Sequence, residues 1–227
     1  MVVASVRGGG RAVNEGNPRD IVLASRSPRR LALAREQGWH VEVVPPDESV
    51  ERDAPARGSD ESVAAYAERL ACLKAAAVAP RCRPGTLVAC DTLAELDGDA
   101  LGQPIDRDHA RSILERLSGR RHRVVSGVCI WQRPELEPVT GRAESVLEMA
   151  PLSEELLEWY LDSGLWIGKA GACGFQDDRL PLHLVSGSAS NVVGLPLELL
   201  TEMLDAIDRT LARRQPGTGP DSARMAD

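Results

Sequence analysis

Five short segments of this 227-residue chain carry residue types that can act on a polyanion. Asp91-Thr92 follows the apolar run 87–90, which predicts a carboxylate at the carboxyl end of a buried strand, where open α/β sheets place their ligands. There it can hold a divalent cation or take a proton from water; a turn Asp satisfying nearby N–H groups is the plainer reading. Ser25-Arg26-Ser27-Pro28-Arg29-Arg30 stands where a strand runs into a helix. Unpaired N–H groups, the positive end of the helix dipole, two hydroxyls and forked guanidinium groups would together cradle phosphate. An N-capped helix with solvated arginines would read the same way. Lys74 borders the apolar face of a later helix, and its bland role is a snorkelling stem. Residues 168–176 (GKAGACGFQ) are dense in glycine, which suits close approach of backbone to a ligand or simply a loop. Residues 186–191 (SGSASN) form a polar turn leading into VVGLP.

The elements that must position these residues follow from periodicity and punctuation. Residues 21–24 read as a strand, and a helix with Pro28 in its first turn runs to Gly38. Residues 41–44 form a second strand stopped by Pro45-Pro46. Val63, Ala67, Leu70 and Ala77 recur at helical spacing between Ser59, the expected N-cap, and Pro80. A strand over 86–90 is followed by a hairpin about Asp97-Gly98-Asp99. Asp106 caps a helix with Ala110, Ile113, Leu114 and Leu117 on one face, ended by Ser118-Gly119. Residues 123–131 and 142–149 read as antiparallel neighbours. A helix from Ser153 to Gly164, a strand over 182–185 and a helix from Pro196 with Leu197, Leu200, Leu204, Ile207 and Leu211 on one stripe complete the chain. Interleaved strands and helices interrupted by hairpins predict a mixed-sheet α/β or α+β fold without a repeat.

Composition narrows the function. Hydrophobic residues are 43 % and charged residues 27 %, which is ordinary globular usage. Aromatics at 3 % and a formal charge of −7 argue against single-strand stacking platforms and duplex binding, so no nucleic acid partner is expected. No run approaches the roughly 18 to 20 apolar residues of a membrane span, and the first 20 residues lack a signal-like apolar stretch; a cytoplasmic protein without a membrane partner is expected. Five cysteines at irregular spacing and four isolated histidines match neither a disulfide framework nor a structural zinc site. Residues 19–214 are expected to be a single domain, with 1–18 and 215–227 as frayed, disordered extensions. Among the 27 basic residues only Lys74 and Lys169 are lysines.

In order and spacing, these segments resemble the Maf family of nucleoside triphosphate pyrophosphatases. The motifs that carry the resemblance are LASRSPRR (23–30), RLACLKA (69–75), CDT (90–92) with the following LDG and LGQP, LSGRRHRVVSGV (117–128), GKAGACGFQ (168–176) and SNVVGLPLELL (190–200). It covers about residues 20–208. The resemblance implies a fold similar to the inosine-triphosphate pyrophosphatases, a bent mixed sheet in two lobes with a central nucleotide cleft. It further implies a hydrolase acting on acid anhydrides, converting a nucleoside triphosphate and water to the monophosphate and pyrophosphate with a divalent cation, Mg²⁺ or Mn²⁺, and often pairing into homodimers. Asp91 would accept the proton of the water that attacks the α-phosphorus. Ser25, Arg29, Arg30, Lys74 and Lys169 would form the triphosphate shell, and both lysines of the chain fall on positions the family motifs assign to lysine.

One branch of the family prefers dTTP and UTP, another 7-methyl-GTP. Arg29, Thr92 and Gln176 match the pyrimidine branch, where the other tends to have Trp, Gln and Glu; an amide such as Gln176 can donate to and accept from a uracil edge. Two positions depart from the motifs. Gln103 stands where the family has lysine, which removes a positive charge, and Gly168 where it has Asp, with Asp177 and Asp178 as replacements nearby. The acidic residue expected after the second strand aligns equally with Asp47, Glu48 and Glu51, of which Glu48 and Glu51 are the expected metal ligands beside Asp91. Two rival readings stand: a pyrophosphatase of 7-methyl-GTP or another modified nucleotide, and a nucleotide-binding regulator of cell division with weakened catalysis.

Overall fold

The computed structural model describes residues 19–214; the two expected frayed extensions, 1–18 and 215–227, lie outside the described residues. A single seven-stranded mixed sheet organises the chain. Strand β1 (Asp20–Leu23) leads through Ser25-Arg26-Ser27 into helix α1 (Pro28–Glu36), and β2 (His40–Val43) returns parallel to β1. Pro28 opens α1 because its ring presets helical φ, and the Ser27 hydroxyl accepts from the Arg30 N–H. A short helix α2 (Ser49–Arg52) occupies what reads in sequence as polar loop. Helix α3 (Val63–Val78) starts one turn later than the Ser59 expectation, because the Ser62 hydroxyl takes the Ala65 N–H while Ser59 bonds the Asp60 carboxylate.

Next come β3 (Gly85–Leu96) and β4 (Asp99–Leu101), the hairpin expected at Asp97-Gly98, with Gly98 at φ +85°. Helix α4 (Arg107–Leu117) is capped by Asp106, β5 (Arg121–Arg133) and β6 (Val139–Met149) pair antiparallel, and α5 (Glu154–Ser163) runs from its Ser153 cap to Gly164 at φ +70°. Strand β7 (Leu182–Ser186), a short helix α6 (Ala189–Val193) where a turn is expected, and α7 (Leu197–Arg214) end the described chain. Strand order is β2-β1-β3-β5-β6-β7, with β4 beside β3.

Alternation along β3 and β5 decides which helix each face receives. Leu87, Ala89 and Cys129 join the cluster with Ala71, Ala75 and Val78 of α3. Val88, Cys90, Val128 and Ile130 meet Leu200, Leu204 and Ile207 of α7 on the opposite face. Farther along that second face, Ala94, Leu96 and Met149 pack with α4 and α5. Two helical layers therefore share one face of the sheet, and an open strip of sheet lies between them. Gly127, the register partner of Asp91, lets α3 rest directly on the other face: a Cβ there would lie 2.1 Å from the Glu68 backbone nitrogen. Among the described residues no helix is long and apolar enough to cross a membrane.

Candidate active site

The open strip is the floor of a cleft of about 610 Å³, and every one of the nine expected site residues, together with Glu48 and Glu51, lines it. Asp91 is not at a strand end. Strand β3 runs unbroken from Gly85 to Leu96 because β5 pairs with it over the whole stretch from Gly85 to Glu95. On its other edge β3 loses its partner: β1 stops at the Leu23 to Val88 pair and β4 begins only at Ala94. Residues between those two pairings stand at a break in the sheet, and there both faces of β3 open toward the cleft. Asp91 projects to the α3 side and Thr92 to the α7 side.

On the α3 side the ammonium of Lys74 hydrogen-bonds Asp91 and forms an ion pair with Glu51 at 2.7 Å. Lys74 and Asp91 are 4 % and 7 % exposed. Two carboxylates around one ammonium leave the cluster one negative charge in excess. Burial would raise the pKa of Glu51, but the charge and hydrogen bond of Lys74, with Arg30 and Arg26 behind it, hold the carboxyl below its ordinary value. The competition among the three acidic residues after β2 is resolved in space by α2, which carries Glu51 to Lys74. Glu48 pairs instead with Arg26 and is exposed, and Asp47 lies 3.7 Å from Arg81.

On the α7 side Arg30 is threaded into the structure. Its Nε donates to the Gly194 carbonyl at 2.7 Å, and its terminal nitrogens to Thr92 Oγ1 at 3.2 Å and Ser25 Oγ at 3.4 Å. Thr92 is steadied by Ser126 Oγ at 2.8 Å. Arg29 reaches across the cleft mouth to the Gly168 carbonyl at 3.1 Å. Among the described residues neither arginine is in an ion pair, although the charge of Arg30 acts on Glu51 through space.

The far wall is the loop after α5. Lys169 Nζ bonds both carboxylate oxygens of Asp177, at 2.7 and 2.6 Å, and Asp177 Oδ2 also accepts from the Tyr160 hydroxyl at 2.5 Å and the Gly174 N–H at 3.0 Å. The pair packs close over Gly174, where a Cβ would lie 2.6 Å from Lys169 Nζ and 2.7 Å from Asp177 Oδ2 and would displace them. Of the two carboxylates that could replace the one missing at Gly168, Asp177 therefore holds the lysine, while Asp178 is exposed. The phenol of Tyr160 is pushed well above its usual pKa by burial and by the adjacent Asp177. Tyr160 is not among the expected site residues; the sequence signal for it is a tyrosine amid Leu156, Leu157 and Leu161, a buried hydroxyl that needs a partner.

Residues 20–207 match the model of the Maf-like protein family. The chain belongs to that family. It is 41 % identical to a dTTP/UTP pyrophosphatase of Rhodopirellula baltica over 194 residues, 85 % of this chain and 84 % of that one. It is 41 % identical to one of Anaeromyxobacter over 210 residues, 88 % of this chain and 95 % of the relative, and 39 % identical to one of Symbiobacterium thermophilum, covering 81 % and 92 %. A solved HAM1 protein of Coxiella burnetii matches 59 % of this Maf-like chain and 74 % of its own, with TM-score 0.37 and 18 % identity, a likeness from which nothing is argued.

The Maf-like cleft thus has an acidic α3 side around Lys74, two arginines outside any ion pair among the described residues on the α7 side, and a neutral pair on the far wall. No group of three or more His, Cys, Asp or Glu side chains forms a ready-made metal site among the described residues. Asp91 and Glu51, hard oxygen donors with a surplus charge, do fit Mg²⁺ or Mn²⁺, which bind through one or two carboxylates and complete their shell with water and phosphate oxygens.

Proposed function

We propose that this Maf-like chain hydrolyses nucleoside triphosphates to the monophosphate and pyrophosphate, with dTTP and UTP as its preferred substrates. The observation that carries the reading is Asp91: a buried carboxylate at the break between β1 and β4 along β3, lining the cleft, with an ammonium and a second carboxylate beside it. The names of the three relatives supply the substrate class.

Triphosphate enters against the N-terminus of α1, where backbone N–H groups, the Ser25 hydroxyl and the guanidinium groups of Arg29 and Arg30 give it charge-assisted hydrogen bonds. Its negative charge also offers the Lys74 ammonium a stronger partner than one carboxylate. Transfer of Lys74 toward phosphate frees an oxygen of Asp91, which accepts the proton from water as that water attacks the α-phosphorus. Charge developing on the departing pyrophosphate is stabilised by the guanidinium groups and by Lys169, held in place by Asp177. Asp91 and Glu51 would hold the divalent cation, which supplies further neutralisation of phosphate charge. Gln103 lines the cleft without charge, so the shell carries one cation fewer than the family motif. Gln176, exposed on the cleft, would meet the base, while Thr92, bonded to Arg30 and Ser126, would act on it through the arginine it positions.

The test is pyrophosphate release from a panel of dTTP, UTP, CTP, GTP and 7-methyl-GTP with Mg²⁺ or Mn²⁺. The reading predicts dTTP and UTP to lead. Faster turnover of 7-methyl-GTP would overturn the specificity assignment, and nucleotide binding without pyrophosphate release from any of them would favour the regulator.

A further inference from the structure

Away from the cleft, the sheet face under α3 brings two of the five thiols together. At Gly127 the helix backbone lies directly on β5, since a Cβ there would be 2.1 Å from the Glu68 nitrogen and 2.3 Å from the Ala67 carbonyl carbon. From that contact helix and strand run side by side in the same direction: Val125 packs with Val63 and Ala67, and Cys129 with Ala71 and Ala75. One helical turn beyond Glu68, a rise of about 6 Å, comes Cys72. Two residues beyond Gly127, about 6–7 Å along the strand and on the same face, comes Cys129. The thiols meet there: Cys72 packs against the cluster that contains Cys129, and the Cys129 S–H donates to the Cys72 sulfur. That hydrogen bond holds the Cys72 thiol below its ordinary pKa, against the opposing pull of burial and of Glu68, and together with burial it pushes Cys129 up. Cys72 is half-buried, whereas Cys129 is 1 % exposed. A reachable sulfur with thiolate character beside a second, buried sulfur is the arrangement of a nucleophilic and a resolving cysteine. The other three are placed differently: Cys90 Sγ faces the Gly194 carbonyl at 3.3 Å, Cys82 Sγ accepts from Arg133 at 3.2 Å, and burial pushes the Cys173 thiol up to about 12.

We propose that Cys72 and Cys129 form an oxidation site, at which hydrogen peroxide is reduced and the two thiols close into a disulfide that pins α3 to β5. The Cys72 thiolate attacks one peroxide oxygen; the O–O bond breaks, hydroxide leaves and is protonated to water, and Cys72 becomes a sulfenic acid. The Cys129 sulfur then attacks the Cys72 sulfur. The S–S bond forms, the S–O bond breaks, and the departing hydroxide takes the Cys129 proton as a second water. Two electrons have passed from the dithiol to the peroxide. A disulfide needs Cα atoms about 4.4–6.8 Å apart, and the seating of α3 on Gly127 one turn earlier draws helix and strand toward that separation. The bond ties the helix that carries Lys74 to the strand paired with that of Asp91, and it closes the chain between residues 72 and 129, which restricts the unfolded state. Neither cysteine lines the cleft, so the site stands apart from the nucleotide reading.

The experiment treats the reduced full chain with hydrogen peroxide near pH 7.5 and follows free thiols, a non-reducing peptide map and the chemical-denaturation midpoint, for wild type, Cys72→Ser and Cys129→Ala. Wild type should fall from five free thiols to three, with one cross-linked peptide joining Cys72 to Cys129 that dithiothreitol opens again. Its midpoint should rise on oxidation and return on reduction. Thiol loss should be at least about tenfold slower in Cys72→Ser, and Cys129→Ala should stop at a Cys72 sulfenic acid that dimedone traps. If Cys129→Ala folds poorly, the wild-type peptide map and the Cys72→Ser rate decide. A map that places the lost thiols at Cys82, Cys90 or Cys173, or in a cross-link between two chains, would overturn the proposal, as would thiol loss in Cys72→Ser as fast as in wild type. A disulfide that forms without raising the midpoint would overturn the pinning of α3.

Discussion

The two lysines of the chain sit on facing walls of one cleft in different electrostatic settings. Lys74 comes from a helix pressed onto the sheet and shares its ammonium between Asp91 and Glu51, which come from separate elements. Lys169 comes from a glycine-rich loop and meets one carboxylate, which is itself satisfied by Tyr160 and Gly174. The first cluster has an excess negative charge and carboxylate oxygens with capacity to spare, so it can exchange partners when phosphate, metal or a proton arrives. The second is neutral and complete, which suits positioning a cation and ill suits moving a proton. The proposed mechanism accordingly gives proton transfer to the Asp91 side and charge stabilisation to the Lys169 side.

The largest difference between the walls should be seen on removing each ammonium. Lys74→Met leaves two carboxylates close together, one of them buried, and should cost about 3–5 kcal/mol of stability. Lys169→Met leaves Asp177 with two remaining donors and should cost clearly less, and chemical denaturation of both variants gives the comparison. Equal losses would erase the distinction.

Acid should act on the cleft floor as well as on the walls. His122 takes a proton near pH 4 in the folded protein, but near pH 6.5 once its burial is lost. The unfolded chain thus binds more protons between those values, so stability is full above about pH 6.5 and falls as pH drops toward 4, by up to about 2–3 kcal/mol. Glu51, with its lowered pKa, adds stability that disappears only as pH falls through that lowered value. Denaturation midpoints from pH 7 to 4.5 should fall for wild type and fall less for His122→Asn.

Asp177→Asn keeps the size of the anchor and removes its charge. Lys169 would then be poorly held, and we expect kcat/KM to drop about 10- to 100-fold, carried mainly by kcat because the lysine serves the departing pyrophosphate. Asp178→Asn should change nothing measurable. A small gain is expected in the other direction: Gln103→Lys should raise the rate a few-fold by restoring a charge at the cleft wall, read by initial rates at saturating substrate.

Much of this contrast is legible in the sequence. Helix caps at Ser27, Asp106 and Ser153, the Asp97-Gly98 turn and the Gly164 stop are local chemistry, and local chemistry is written in consecutive residues. What was lost depended on distant partners. Asp91 reads as a strand end because polar residues usually mark one, yet the long pairing with β5 carries the strand past it. Ser59 and Ser62 are equivalent caps on paper, and only the seating of α3 chooses between them. Asp47, Glu48 and Glu51, like Asp177 and Asp178, differ by a turn of backbone that places one of each set at a lysine. His122 reads as isolated in sequence because, apart from Val124, the cleft-lining residues around it come from other strands.

The central claim is that Asp91 takes the proton while its neighbours hold the triphosphate. Single-turnover pyrophosphate release from dTTP by Asp91→Asn, with dTTP binding measured alongside, tests it directly. The account predicts a rate at least about 10³-fold below wild type, near the upper range for loss of a general base, with nucleotide affinity changed by less than about tenfold. Release within tenfold of wild type would contradict it and return Asp91 to a structural role beside Lys74.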